Sequence, residues 1–175
     1  MNIVLFGDSF LGRFGKNLID QLESTIPKSI VYNCAAGGWN STDLKNRAQL
    51  IAKLNPDYVV LSYGGNDVAP WKKVVAQNEF QANTELILKA FSNSKIIILL
   101  CPNVNLESTE HTLEYNNALR SYYRGIEESL NNFDAHCIDT NLILADMGDC
   151  HEDDGVHING QAYDRIILKL GELIN

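Results

Sequence analysis

The sequence has no run approaching the roughly 20 consecutive apolar residues that a membrane-spanning helix requires, so no such helix is expected. Its start, Met1-Asn2-Ile3-Val4-Leu5-Phe6, carries no basic stretch and passes directly into Gly7-Asp8-Ser9. An export signal would look different, and the expected location is the cytoplasm. Positive charge is in short supply: 14 Lys and Arg stand against 22 Asp and Glu, a formal charge of -8. That balance disfavours nucleic acid and anionic lipid surfaces as partners. Cysteine is sparse, with Cys34, Cys101, Cys137 and Cys150 forming no C-x-x-C pair. The first three lie inside or at the end of apolar runs, where buried reduced thiols are found. Repeats, low-complexity tracts and linkers are also missing.

What is present suits one domain over 1–175. The 175 residues are 45% hydrophobic, and a chain of this size buries roughly 70% of its unfolded surface without metal or disulfide staples. Short apolar runs at Ile3–Phe6, Ser29–Cys34, Tyr58–Ser62, Lys95–Cys101 and Ala135–Ile138 predict strands. Most are continuously apolar, as in parallel strands covered on both faces. Helical spacing lies between them. Leu11, Phe14, Leu18, Leu22 and Ile26 form one stripe over Leu11–Ile26, and Ser41–Leu54 opens on Ser, Thr and Asp as capping residues. Further helices are expected over Val74–Phe91, Thr112–Leu130 and Asn159–Leu173, with Pro27, Pro56, Pro70 and Pro102 at junctions. The alternation predicts an α/β fold: a three-layer α/β/α sandwich with a five-stranded parallel sheet in the flavodoxin-like order 2-1-3-4-5.

In open sheets of this kind ligands sit beyond the carboxyl ends of the strands. The first strand ends in Gly7-Asp8-Ser9, which puts a serine hydroxyl on a tight strand-to-helix turn, suited to a nucleophile or simply to a helix cap. The second ends in a loop holding Gly37-Gly38, where the backbone can turn an N–H toward a ligand. The third ends in Gly64-Gly65-Asn66-Asp67. Asn66 offers an uncharged donor to a developing negative charge, while Asp67 suits a turn cap. Before the last helix, Asp154 precedes His157 by three residues and can fold back to hold its imidazole. His111, His136 and His151 have no comparable setting and read as structural or surface residues.

Taken together, these blocks resemble the SGNH hydrolase family, also called GDSL esterases and lipases. The match runs through Gly7-Asp8-Ser9, Asn33-x-x-x-x-Gly38, Gly64-x-Asn66-Asp67 and Asp154-x-x-His157, from residue 7 to residue 157. The resemblance implies Ser9 as nucleophile, His157 as general base and Asp154 as its orienting acid. It further implies an oxyanion hole from the N–H groups of Ser9 and Gly38 and the side chain of Asn66. Phe10 departs from the Leu of the GDSL signature at a core position, and a one-residue slip would make Gly37 the donor. The expected activity is hydrolysis of a short-chain acyl ester, O-acetyl first, of a small soluble substrate such as a carbohydrate. No cofactor or metal is expected. The same triad would also serve an acyl-CoA thioesterase, a lysophospholipase or an acyltransferase. A flavodoxin-like anion- or nucleotide-binding module would use the same edge, but leaves Asp154 and His157 without a role. A metal site from Cys150, His151, Glu152, Asp153, Asp154 and His157 lacks zinc-ligand spacing. Trp39, Tyr63 and Trp71 lie near the site loops as candidate walls for a sugar or acyl group, or as ordinary rim and core aromatics.

Overall fold

A computed structural model describes residues 1–130 and 133–175. Five strands, β1 (Asn2–Gly7), β2 (Ile30–Asn33), β3 (Tyr58–Ser62), β4 (Lys95–Leu100) and β5 (Ala135–Asp139), form one all-parallel sheet in the order β2-β1-β3-β4-β5. This is the expected topology. The central strands are apolar on both faces because both are covered: Ile3, Val4, Leu5 and Phe6 of β1 and Val59, Val60 and Leu61 of β3 are fully buried. Each such side chain contributes about 1.5–3 kcal/mol relative to exposure. At the edge, β2 alternates instead, with Val31 buried between exposed Ile30 and Tyr32.

The helices are α1 (Ser9–Gly12), α2 (Lys16–Thr25), α3 (Ser41–Ile51), α4 (Gly65–Val68), α5 (Gln77–Ala90), α6 (Thr109–Ser129), α7 (Thr140–Leu144) and α8 (Gly160–Ile174). Helix α5 packs against α3 and α6, and α8 packs against α2 and α7.

The helix expected over Leu11–Ile26 is two helices. The apolar stripe is present, with Leu11, Phe14, Leu22 and Ile26 buried, but the backbone turns between Gly12 and Lys16. The Asn33 amide donates to the carbonyls of Leu11 and Phe14, each at 3.0 Å, which stabilises the turn. Helix α3 is capped by Asn40 rather than by Ser41, through a capping box with Asp43, and it passes into a 3₁₀ turn at Ala52–Leu54. Helix α5 starts three residues later than expected and α6 three residues earlier, the latter because Ser108 accepts the N–H of His111 as its cap. The thiols also differ from expectation. Cys101 is buried, Cys34 and Cys137 are only half-buried, and Cys150, outside the apolar runs, is buried.

Candidate active site

Ser9 is the first residue of α1, immediately beyond β1. The turn is set by Asp8, whose carboxylate accepts the Phe10 N–H at 3.0 Å. Phe10 points into the core, 6% exposed, its ring stacked on Tyr163, whose hydroxyl donates to the Phe10 carbonyl at 2.8 Å.

His157 arrives from the opposite end of the chain, on a loop closed by an antiparallel bridge between His151 and Ile158. Within it the Glu152 N–H donates to the His157 carbonyl at 2.7 Å. At the tip, Gly155 has φ +65° and lies so close to the loop after β4 that a Cβ would come within 2.0 Å of the Asn105 carbonyl oxygen. Only glycine fits there. That approach lets the Asn105 N–H donate to the Gly155 carbonyl at 2.7 Å and anchors the tip.

In this loop one oxygen of Asp154 accepts the backbone N–H groups of Val156 and His157, both at 2.9 Å, while the other meets His157 Nδ1 at 2.5 Å. His157 Nε2 then lies 3.0 Å from Ser9 Oγ. Partial burial works against the Asp154 charge, but the bonds from the His157 ring and the two backbone N–H groups outweigh it and hold the carboxyl well below the usual carboxylate range. The result is a hydroxyl, an imidazole and an ionised carboxylate in one line, a geometry that can take the hydroxyl proton and stabilise the imidazolium that forms.

Facing this line, the backbone N–H groups of Ser9, Gly37 and Gly38 have no acceptor among the described residues. Gly37 and Gly38 both line the cavity, and Gly38 has φ +83°. Asn66 Nδ2 donates to the Trp39 carbonyl at 2.9 Å. Asp67 caps a helix other than its own: its carboxylate accepts the Ser41 N–H at the start of α3, at 3.0 and 3.1 Å, which ties the loop carrying Gly38 to the loop carrying Asn66. Burial pushes the Asp67 carboxyl above its ordinary value, against the pull of those bonds.

A cavity of ≈ 630 Å³ opens over Ser9 and His157, bordered also by Asn66, Trp71, Val104 and Tyr115. The three candidate aromatics part company here. Trp71 lies on the wall, half-exposed and stacked flat on Tyr115, ring centroids 5.7 Å apart. Trp39 packs edge-on against Phe6 beneath the guanidinium of Arg47, outside the lining, and offers the site only its carbonyl. Tyr63 is a core residue, not a wall: it is fully buried, packs on Phe80 and donates to Thr84.

His111 and His136 are exposed, and His151 is held between Asp149 and the Asn103 carbonyl. Of the residues weighed for a metal, Glu152, Asp154 and His157 do bring ligand atoms within 4.8 Å of one another. Their donors are already engaged, Glu152 by Arg13 at 2.7 Å and both His157 nitrogens by Asp154 and Ser9. Sequence reasoning missed Arg13 and Lys72 on the cavity rim and Tyr115 in its wall, none of which belongs to a local motif.

A three-layer parallel α/β sandwich with Ser, His and Asp aligned at the carboxyl edge of its sheet is the arrangement of a serine hydrolase. The family model described as GDSL-like Lipase/Acylhydrolase family matches residues 5–165, and the chain belongs to that family. Among solved structures, the fold is similar to a lipase/acylhydrolase from Enterococcus faecalis, at 21% identity and TM-score 0.81, covering 99% of this chain and 97% of that one. An acetylxylan esterase from Geobacillus stearothermophilus is similar at 21% identity and TM-score 0.75, over 98% and 92% of the two chains. The aryl esterase of M. smegmatis shares 13% identity at TM-score 0.78, over 99% and 97%. No curated protein matched the chain. Among the described residues no helix is long and apolar enough to cross a membrane.

Proposed function

We propose that this domain hydrolyses short-chain acyl esters, O-acetyl first, of a small substrate such as a carbohydrate, through an acyl-enzyme on Ser9. The observation that carries the proposal is the contact of His157 Nε2 with Ser9 Oγ at 3.0 Å at the floor of the cavity. His157 takes the Ser9 proton as Oγ attacks the ester carbonyl, and the Asp154 carboxylate stabilises the imidazolium. The carbonyl oxygen, now anionic, accepts from the N–H groups of Ser9 and Gly38 and from Asn66 Nδ2. The intermediate collapses as His157 gives the proton to the departing alcohol. Water then enters, loses a proton to His157 and releases the acid, returning Ser9 to its hydroxyl form. The half-exposed face of Trp71 suits stacking of a sugar ring beside the reacting carbonyl, and the acetylxylan esterase named above shares the fold.

The test is hydrolysis of p-nitrophenyl esters of graded acyl length and of acetylated sugars by the wild-type protein and Ser9→Ala. The expected result is greatest kcat/KM on acetyl esters and near-complete loss in Ser9→Ala with folding intact. Wild-type rates in that variant would refute the role of Ser9, and a preference for long acyl chains or acyl-CoA would refute the substrate class.

A further inference from the structure

Beside Gly38 and Asn66 on the cavity rim lies a cation that no motif announces, Lys72. Lys72 follows Trp71 in the loop after α4, its N–H closing a turn on the Ala69 carbonyl at 3.0 Å. Its side chain reaches back so that Nζ donates to Asn66 Oδ1 at 2.7 Å and to the Gly38 carbonyl at 2.9 Å. Among the described residues no carboxylate stands within ion-pair distance of Nζ. The ammonium is therefore shared between two carbonyls, one from each loop that borders the hole.

We propose that Lys72 is a positioning residue for ester hydrolysis, acting through the carboxamide of Asn66; the inference rests on the oxyanion role proposed for Asn66 above. The last torsion of an Asn side chain is broad and roughly two-fold, so the amide alone has little preference between its two faces. Here both ends are determined by their partners. Lys72 can only donate, so it takes the oxygen, and the Trp39 carbonyl can only accept, so it takes the nitrogen at 2.9 Å. Nδ2 carries two hydrogens. Trp39 uses one, and the other is left for the cavity that Asn66 lines. A flipped amide would present an oxygen lone pair where the substrate oxygen becomes negative. A cation on Oδ1 also polarises the amide and strengthens its N–H donors. The second bond of Nζ, to Gly38, holds the two donor-bearing loops together. Lys72 thus acts through the donor that faces the transition state, its Nζ engaged by Asn66 and Gly38.

The experiment is a double-mutant cycle with p-nitrophenyl acetate: Lys72→Met and Lys72→Arg, each in wild-type and Asn66→Ala backgrounds, with thermal melts to check folding. Loss of an oxyanion donor costs about 10²–10³ in kcat, and loss of the group that aims it should cost about tenfold. In the wild-type background, Lys72→Met is expected to lower kcat with KM little changed, and Lys72→Arg to recover part of the loss. In Asn66→Ala, Lys72→Met should cost much less than in the wild-type background, what remains being the bond to the Gly38 carbonyl. An equal loss in both backgrounds, a rise in KM alone, or no loss while Asn66→Ala is impaired would overturn the role of Lys72. Wild-type kcat in Asn66→Ala would instead refute the oxyanion role of Asn66 itself.

Discussion

Replacing Asp8 by Asn should remove a pH-dependent penalty on stability that grows from acid to neutral pH. Asp8 is 3% exposed, and burial, opposed by the hydrogen bond from Phe10 and by the Cys101 thiol, pushes its carboxyl up from 3.8 to about 7. In the unfolded chain the group loses its proton near its ordinary value, whereas the folded chain keeps it until near neutrality. The unfolded state therefore binds fewer protons over that window. Stability from this group is complete below about pH 4, declines as pH rises and levels off above about pH 7. At roughly 1.4 kcal/mol per pH unit, the penalty is ~2 kcal/mol at about pH 5 and ~4 kcal/mol at about pH 8.

An Asn amide oxygen can still accept the Phe10 N–H, so Asp8→Asn keeps the turn that presents Ser9 while losing the titration. Urea unfolding of both proteins should show the variant gaining on the wild type by ~2–3 kcal/mol between about pH 5 and about pH 8, whatever the other groups contribute to both. Parallel pH profiles for the two proteins would refute the argument, since they would mean that Asp8 ionises alike in the folded and unfolded chains. The same displacement has a bearing on catalysis. Asp8 lines the cavity next to Ser9, and a carboxyl that is still partly neutral near pH 7 places less negative charge beside the position proposed for the substrate oxyanion.

Asp154→Asn keeps the side-chain shape but cannot stabilise the imidazolium, and kcat on p-nitrophenyl acetate should fall by up to about 10⁴-fold with the melting temperature little changed; a wild-type kcat would remove Asp154 from the mechanism. Gly155→Ala forces a Cβ to within 2.0 Å of the Asn105 carbonyl oxygen at a backbone φ of +65°. The tip must move, at a cost of roughly 1–3 kcal/mol in strain, with His157 shifted enough to lower kcat by about 10²-fold. Denaturation and kinetics together check this, and unaltered values in both would show that the tip does not position the base.

What could be read along the chain, and what could not, divides by whether the interacting groups are neighbours in sequence. The five strands were visible because parallel strands covered on both faces are continuously apolar, and Asp154 and His157 were visible because a three-residue spacing folds one back onto the other. The break between α1 and α2 was hidden. The stripe from Leu11 to Ile26 reports which face is buried, not whether the helical hydrogen bonds continue, and the carbonyls at the break are satisfied by Asn33, from another element. Helices α4 and α7, of four and five residues, are too short to show a period.

Tyr63 misled for a related reason. It adjoins the Gly64–Asn66 loop in sequence, but its ring turns into the core against Phe80 rather than toward the cavity. Lys72 escaped notice because its partners, Gly38 and Asn66, belong to two separate loops that meet only once β2 and β3 have each paired with β1. The groups proposed to react were thus legible as motifs, while the residues proposed to aim them were not. Aiming depends on contacts between loops, and in a parallel sheet consecutive loops at the active edge are separated in sequence by whole helices. The bond from His157 to Ser9 is the extreme case, joining residues 148 positions apart. The Gly155 tip, anchored to the loop after β4 by the Asn105 N–H, carries His157 to that meeting, so a substitution that displaces the tip should alter the rate even though Gly155 does not carry the transferred proton.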